Sequence, residues 1–201
     1  MEELDIKEKI LKGSEELFRR YGVRSISMDD IARHLSVSKK TLYQHFADKE
    51  DLVVEVSKSH LQNQHQVYKE LRDTSINTIE HLAKISVCMK HEMDVVNPAM
   101  LFDIQKFHPK AWAVWLNFKK ELIKEIVDNL QQGKAEGYVR EDINPEIFAV
   151  LRVELIQAAF TEELFLSKKF KLSEIQSQIF DHFVYGLVTE KGKKVYQKCK
   201  N

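Results

Sequence analysis

The chain has 201 residues, with 31 basic and 31 acidic side chains and a formal net charge of zero. It is 43% apolar and 31% charged, and it carries only six Gly and three Pro. That apolar share excludes a disordered chain, and so few Gly and Pro exclude an all-β sandwich, which turns every ~8–12 residues.

Lys, Glu, Gln and Leu dominate, so the composition predicts an all-α protein of one or two compact domains. No apolar run approaches the ~18 residues of a membrane helix. The first residues, MEELDIKEKILKGSEELF, have no apolar signal region. Cys88 and Cys199 lie far apart and form neither a disulfide framework nor zinc spacing. The expectation is a reduced, cytoplasmic protein with no membrane partner. Zero net charge excludes a wholly basic nucleic-acid coat but leaves room for a local basic face.

Along the chain, Ile6, Ile10, Leu17, Phe18 and Tyr21 recur at helical spacing, which predicts a helix from Asp5 to Tyr21 stopped by Gly22. Ser27 reads as an N-cap, with Asp30 closing a capping box. The next helix, Met28 to His34, buries Met28, Ile31, Ala32 and Leu35. After a break at Leu35-Ser36-Val37, Ser38 caps a helix from Lys39 to His45, and Asp48 caps a long one from Lys49 to about Arg72.

Further helices are predicted from Asn77 to Val95, near Pro98 to Phe107, from Pro109 to about Gly133, and from Pro145 to about Ser167. The last predicted helix is capped by Ser173 and ends near Gly186. The tail beyond it is basic and receives no assignment.

The stretch with the clearest chemistry is SMDDIARHLSVSKKTLYQHFADKEDL, from Ser27 to Leu52. Two short helices joined by a tight turn make a helix-turn-helix unit. On the second helix, Leu42 and Phe46 share a face that must point to a core. Lys39, Lys40, Tyr43 and Gln44 occupy the opposite arc.

That arc suits a major groove. Lysines reach phosphate or guanine, Gln44 pairs with adenine or reaches phosphate, and the Tyr43 ring meets a thymine methyl. Ser38, Thr41 and His45 flank the arc and can meet the backbone. Lys49 opposes its own helix dipole unless an anion sits at that helix start, and a DNA phosphate would be one. Between residues 33 and 49, Arg33, Lys39, Lys40 and Lys49 face only Asp48, a local balance of +3. A solvated charged surface would show the same residue types.

Ile31-Ala32, Val37-Ser38, Thr41-Leu42-Tyr43, His45-Phe46 and Lys49-Glu50-Asp51-Leu52 closely resemble the DNA-binding domain of TetR-type (tetracycline-repressor-like) transcriptional regulators. Phe18 and Tyr21-Gly22 fit the family's first helix. The resemblance covers roughly residues 6–55; beyond it the chain matches the family only in length and helical organisation. There are two departures. Ser36 stands in the turn where the family often has Gly, and Lys40 stands where it often has Gly. The second adds a cation at the DNA face.

The resemblance implies a three-helix DNA-binding head at 1–50 and a larger helical effector-binding and dimerisation domain at 51–201. Nine of eleven Phe and both Trp lie beyond residue 55. Met89, Met93, Met100, Phe102, Phe107, Trp112, Trp115 and Phe118 are the candidates to line an apolar pocket; core packing is the plain alternative for each. Phe148, Leu151, Leu155, Ala158 and Ala159 form one candidate dimer stripe. Ile175, Ile179, Phe183 and Gly186 form another, and inward packing is again the alternative.

An enzyme reading finds little. A di-iron bundle needs Glu-x-x-His twice, and no His in the chain has Glu three residues before it. Cys88 and His91 could share a metal but lack a partner pair. No phosphate loop, nucleophile elbow or HExxH occurs.

The expectation is therefore a non-enzymatic, homodimeric regulator, a repressor without cofactor or metal. It would bind palindromic double-stranded DNA and be released by a small apolar or amphipathic effector. Control by a partner protein is the alternative, and a helical metal-dependent enzyme is a distant third.

Overall fold

The computed structural model describes residues 2–160 and 170–200. Among them are ten helices: α1 Glu2–Tyr21, α2 Met28–Leu35, α3 Lys39–His45, α4 Lys49–Asp73, α5 Thr78–Met93, α6 Ala99–Phe107, α7 Pro109–Ala135, α8 Pro145–Ala158, α9 Leu172–Leu187 and α10 Glu190–Lys200. The fold is all-α. One isolated antiparallel bridge joins Val139 to Val188.

The chain forms two units. One takes residues up to Gln64 together with Val95–Asn117; the other takes His65–Asp94 and everything from Phe118 onward. In the first unit α1 packs on α2 and α6, and α2 packs on α3. Its core joins Ile10, Phe18, Ile31, Leu42, Phe46 and Leu52 to Ile104 and Ala111. Tyr21, expected on the apolar face of α1, is instead 48% exposed, with the Arg20 guanidinium over its ring. It is the last residue of the helix, so the face it would share has already ended.

Local chemistry sets the ends of the short helices. Ser27 and Asp30 form the reciprocal capping box at α2. The α2 terminus is a left-handed Schellman turn: Val37 N–H donates to Ala32 O at 3.0 Å and Ser36 N–H to Arg33 O at 3.2 Å. Ser36 sits at φ 54°, ψ 39°, where a β-carbon is strained. Asp48 caps α4 by accepting from Asp51 N–H at 2.8 Å.

In the second unit α5 packs against α9 and α10, and α9 against α8. Ile79, Leu130, Val139, Phe180, Val184, Leu187 and Tyr196 are its core. Asn144 caps α8 through Glu146 and Ile147 N–H, with Pro145 at the first position. The predicted extension of α8 to about Ser167 runs into residues 161–169, outside the described residues.

One cap differs, and the tail that the sequence left without an assignment is helical. Ser173 is not the cap of α9; the helix starts at Leu172, and the Glu174 carboxylate accepts from Lys171 N–H at 3.3 Å. Ser173 is buried because the hydrophobic face of α9 begins at Leu172. The basic tail forms α10, held by Tyr196, which is fully buried and donates to Asp181 at 2.9 Å. Gly192 makes that docking possible, since a β-carbon there would run into the Tyr138 carbonyl oxygen.

His81 is buried in this unit. Its Nε2–H donates to Tyr68 O at 3.3 Å, so Nδ1 is the acceptor, and Asn129 Nδ2 donates to it at 2.7 Å. The ring is therefore neutral. Burial lowers its pKa below 6.5, the Tyr68 carbonyl opposes this, Arg72 and Lys84 add to the lowering, and Asp73 opposes.

Replacing Ser36 by Gly should relieve the left-handed strain and stabilise the chain by about 1 kcal/mol, read from the urea unfolding midpoint. An unchanged or lower midpoint would mean the turn carries no such strain. His81 gives a pH signature. The unfolded chain takes up its proton at a higher pH than the folded one, so stability is complete above about 6.5 and falls as pH drops below it. A His81→Gln variant should show a flatter melting-temperature profile over that window.

Candidate nucleic-acid interface

Helix α3 is a short platform set on a core. Ser38 accepts from Thr41 N–H at 3.0 Å, and the two hydroxyls hydrogen-bond at 2.7 Å. Leu42 and, just past the helix, Phe46 are almost fully buried. Their burial turns Lys39, Lys40, Tyr43 and Gln44 outward, and all four are exposed. His45 is half-buried beside the Phe46 ring.

These residues differ in how free they are to meet a ligand. Lys39 Nζ is 2.6 Å from Asp29 Oδ2 on α2, an ion pair open to water on both sides. Arg33 lies 3.7 Å from Asp30. With those two acids included, the charge balance over residues 29–49 falls from +3 to +1. Tyr43 is 51% exposed and is the one large apolar surface on the outer face of α3.

Lys49 is half-buried at the start of α4, and its ammonium donates to Val23 O at 2.7 Å. Burial lowers its pKa, while Asp103 and Asp30 oppose this. Asp103 itself is buried on α6 and accepts from Arg24 N–H at 2.9 Å. Next to Lys49, Glu50 holds His108 Nδ1 at 2.5 Å and Lys110 N–H at 3.2 Å.

Residues 95–117 thus fasten to the head through buried Asp103 and half-buried Glu50. Sequence reasoning missed Asp103, Glu50 and His108 in this role. A lone Asp in an amphipathic helix carries no spacing signal.

The candidate ligand residues are shared between the units. Phe102, Phe107, Trp112 and Trp115 belong to the first. Phe107 is 41% exposed with Arg24 and Lys106 over its ring, Lys106 also lies over Phe102, and the two Trp rings are 6.5 Å apart. Met100 packs against the core of the first unit. Met89, Met93 and Phe118 belong to the second: Met89 is buried, Met93 half-buried, and Phe118 stands edge-on to His65.

The candidate dimer stripes all lie in the second unit and differ in burial. Ala159 and Phe183 are buried in their own unit. Phe148, Leu155, Ala158, Ile175, Ile179 and Gly186 are half-buried. Leu151 is 46% exposed, beside Ile147 at 63% and Val150 at 45%, two residues outside the predicted stripe.

The second unit also holds a buried cation that sequence reasoning did not mark. Arg152 on α8 keeps 4% of its exposure. Its Nη2 donates to Met89 Sδ at 3.3 Å, and its guanidinium lies 4.7 Å from the Phe180 ring centroid and 5.8 Å from that of Phe183. Burial pulls its pKa down to about 10, with Tyr68 and Tyr196 opposing, so it is charged at neutral pH.

Among the described residues, no three His, Cys, Asp or Glu side chains are grouped to hold a metal. None of the helices described is long and apolar enough to cross a membrane.

Residues 10–56 match the family model described as "Bacterial regulatory proteins, tetR family". Over 183 residues, 90% of this chain and 95% of the relative, the sequence is 26% identical to the HTH-type transcriptional regulator YvaF of Bacillus subtilis. It is 27% identical to the HTH-type transcriptional repressor KstR2 of Mycobacterium tuberculosis over 69% of this chain and 72% of that one. The fold matches the crystal structure of a TetR-family regulator from Agrobacterium tumefaciens with a TM-score of 0.77 at 16% identity, covering 93% of this chain and all of that one. These relatives are regulators, not enzymes. Residues 10–56 thus match the tetR-family DNA-binding region, and over most of its length the chain is similar to HTH-type transcriptional regulators.

Proposed function

We propose that this protein is a cytoplasmic, ligand-responsive repressor that binds a palindromic operator as a homodimer. The observation that carries the proposal is α3 itself: a capped helix anchored by Leu42 and Phe46 that presents Lys39, Lys40, Tyr43 and Gln44 to solvent. Residues 1–50 form its DNA-binding domain. Lys40, Tyr43 and Gln44 enter the major groove, and Lys39 exchanges Asp29 for DNA. Ser38, Thr41 and His45 meet the backbone, and Lys49 exchanges the Val23 carbonyl for a phosphate at the start of α4.

Residues 51–201 dimerise and sense an effector. The exposed apolar residues of α8, Ile147, Val150 and Leu151, support a second copy as the partner. Two linked heads read two half-sites about 34–36 Å apart. A small effector that prefers the wrongly spaced state shifts the population away from DNA, and it does so only through unequal affinity for the two states. Two separate sets of candidate contacts stand as alternatives: Met89, Met93 and Phe118 within the second unit, or Phe102, Phe107, Trp112 and Trp115 within the first.

Selection of genomic fragments by the purified protein tests the reading. Wild type should enrich one palindrome, and a Tyr43→Ala/Lys40→Ala variant should not. No enrichment by folded, dimeric, ligand-stripped protein overturns it. On the selected operator, Lys40→Ala should lower affinity on all sequences and reduce the salt slope by about one unit. Lys49→Ala separates two roles. A reduced slope marks a phosphate contact; an unchanged slope with a lower melting temperature marks the Val23 tie alone.

A charge at the dimer face should be as costly. Leu151→Glu is expected to yield monomers in sedimentation and to weaken operator binding at least about 100-fold. A dimer that survives it places the interface elsewhere.

A further inference from the structure

Five N–H bonds make a guanidinium the most donor-rich side chain in a protein, and in an interior it is matched by carboxylates or carbonyls. Among the described residues Arg152 finds no such match. Its one hydrogen bond runs from Nη2 to the Met89 thioether, a weak acceptor, and its buried Nη1 has no partner. Among the described residues no carboxylate stands within ion-pair distance of it.

The surroundings are not a solvent channel. Ala149 and Val153, which flank it on α8, are fully buried, and Phe180 and Phe183 cover the guanidinium. The α9 face that carries them also carries Gln176, one turn before Phe180. Gln176 is 1% exposed; its Nε2–H donates to Ile156 O at 3.1 Å, and its Oε1 has no partner. Among its described residues the second unit therefore leaves a cation and an acceptor unanswered, set among aromatic and thioether surfaces.

We propose that Arg152 is the anchor of a ligand site for a small monocarboxylate with an apolar or aromatic body. The planar fork of Arg matches a carboxylate in a two-bond geometry, and the rings of Phe180 and Phe183 with the Met89 thioether receive the apolar part. A monocarboxylate suits the site better than a phosphate dianion, because burying it in these surroundings removes one charge from water and answers one charge. The inference rests on the reading of residues 51–201 as a sensor and names the chemical class of its effector.

The test uses the full chain, refolded from denaturant into carboxylate-free buffer. Hexanoate and benzoate are the probes; hexanamide, benzamide and inorganic phosphate are the controls. At probe concentrations a hundredfold above Kd, the melting temperature should rise on the order of 5–10 °C. The amides and phosphate should leave it unchanged.

An Arg152→Met variant removes the charge and keeps the apolar bulk. It should melt higher than wild type without ligand and lose the response to both carboxylates. No response of wild type to either carboxylate overturns the proposal, as does an equal response to the amides, to phosphate or in the Met variant.

A lower melting temperature for Arg152→Met would show that the cation is already paired inside the chain and would overturn the proposal. Glu162 and Glu163, next after α8 and outside the described residues, are the carboxylates to examine for that role. A Glu162→Gln/Glu163→Gln variant should keep the carboxylate response, and loss of it overturns the proposal.

Operator binding by the same preparations separates the two claims. Palindrome selection without a carboxylate response sinks the anchor and leaves the regulator. A carboxylate response without DNA binding does the reverse.

Discussion

A helix of seven residues has no stability of its own, because closing its first turn costs more than so few hydrogen bonds return. Everything proposed for the surface of α3 depends on that cost being met elsewhere. Leu42 and Phe46 meet it by burial among Ile10, Phe18, Ile31 and Leu52. Ser38 supplies the first-turn acceptor, and the Schellman turn at Ser36 sets the angle at which the chain leaves α2. The outer side chains can differ between regulators as long as this inner half is kept. That separation of duties is what lets one fold read many sequences.

The polar groups of the first unit show a second constraint. Lys39 faces Asp29, Arg33 faces Asp30, and Lys49 faces a carbonyl under the influence of Asp103. The surface proposed to meet DNA is thus neutralised in part within the chain itself. Exposed pairs of this kind contribute little to stability and are readily exchanged. The buried contacts differ: Asp103 with Arg24 and Glu50 with His108 hold residues 95–117 to the helix-turn-helix. These bonds act beside the apolar contacts of Ile104 and Ala111 with the same core.

The second unit spends its buried polar groups unevenly. His81 is satisfied on both nitrogens by Tyr68 and Asn129, which fixes its tautomer and keeps it neutral. Tyr196 is satisfied by Asp181 and fastens α10. Arg152 and Gln176 are left with open valences on the faces of α8 and α9 that meet. Those open valences are what the proposed carboxylate would answer.

Much of the head was legible in the sequence because its signals are local. Capping at Ser27, Ser38 and Asp48, the Gly22 stop, and the spacing of Leu42 and Phe46 depend on residues within one or two turns, and α2 and α3 follow from them. The same spacing defines the outer arc of α3.

What lay beyond reach is set by contacts between distant residues. The tail received no assignment because Val195 and Tyr196 are the only large apolar residues among the charges of residues 190–200, yet Tyr196 finds Asp181, and Gly192 clears the Tyr138 carbonyl. The +3 balance around α3 counted neighbours along the chain and missed Asp29 across the turn. The division of the apolar candidates between two units, and the burial of Arg152 without an acid, follow from which helices meet. Spacing along one helix carries no record of what lies on the next, so the sequence by itself determined the elements and their faces, and only tertiary packing decided which charges are answered.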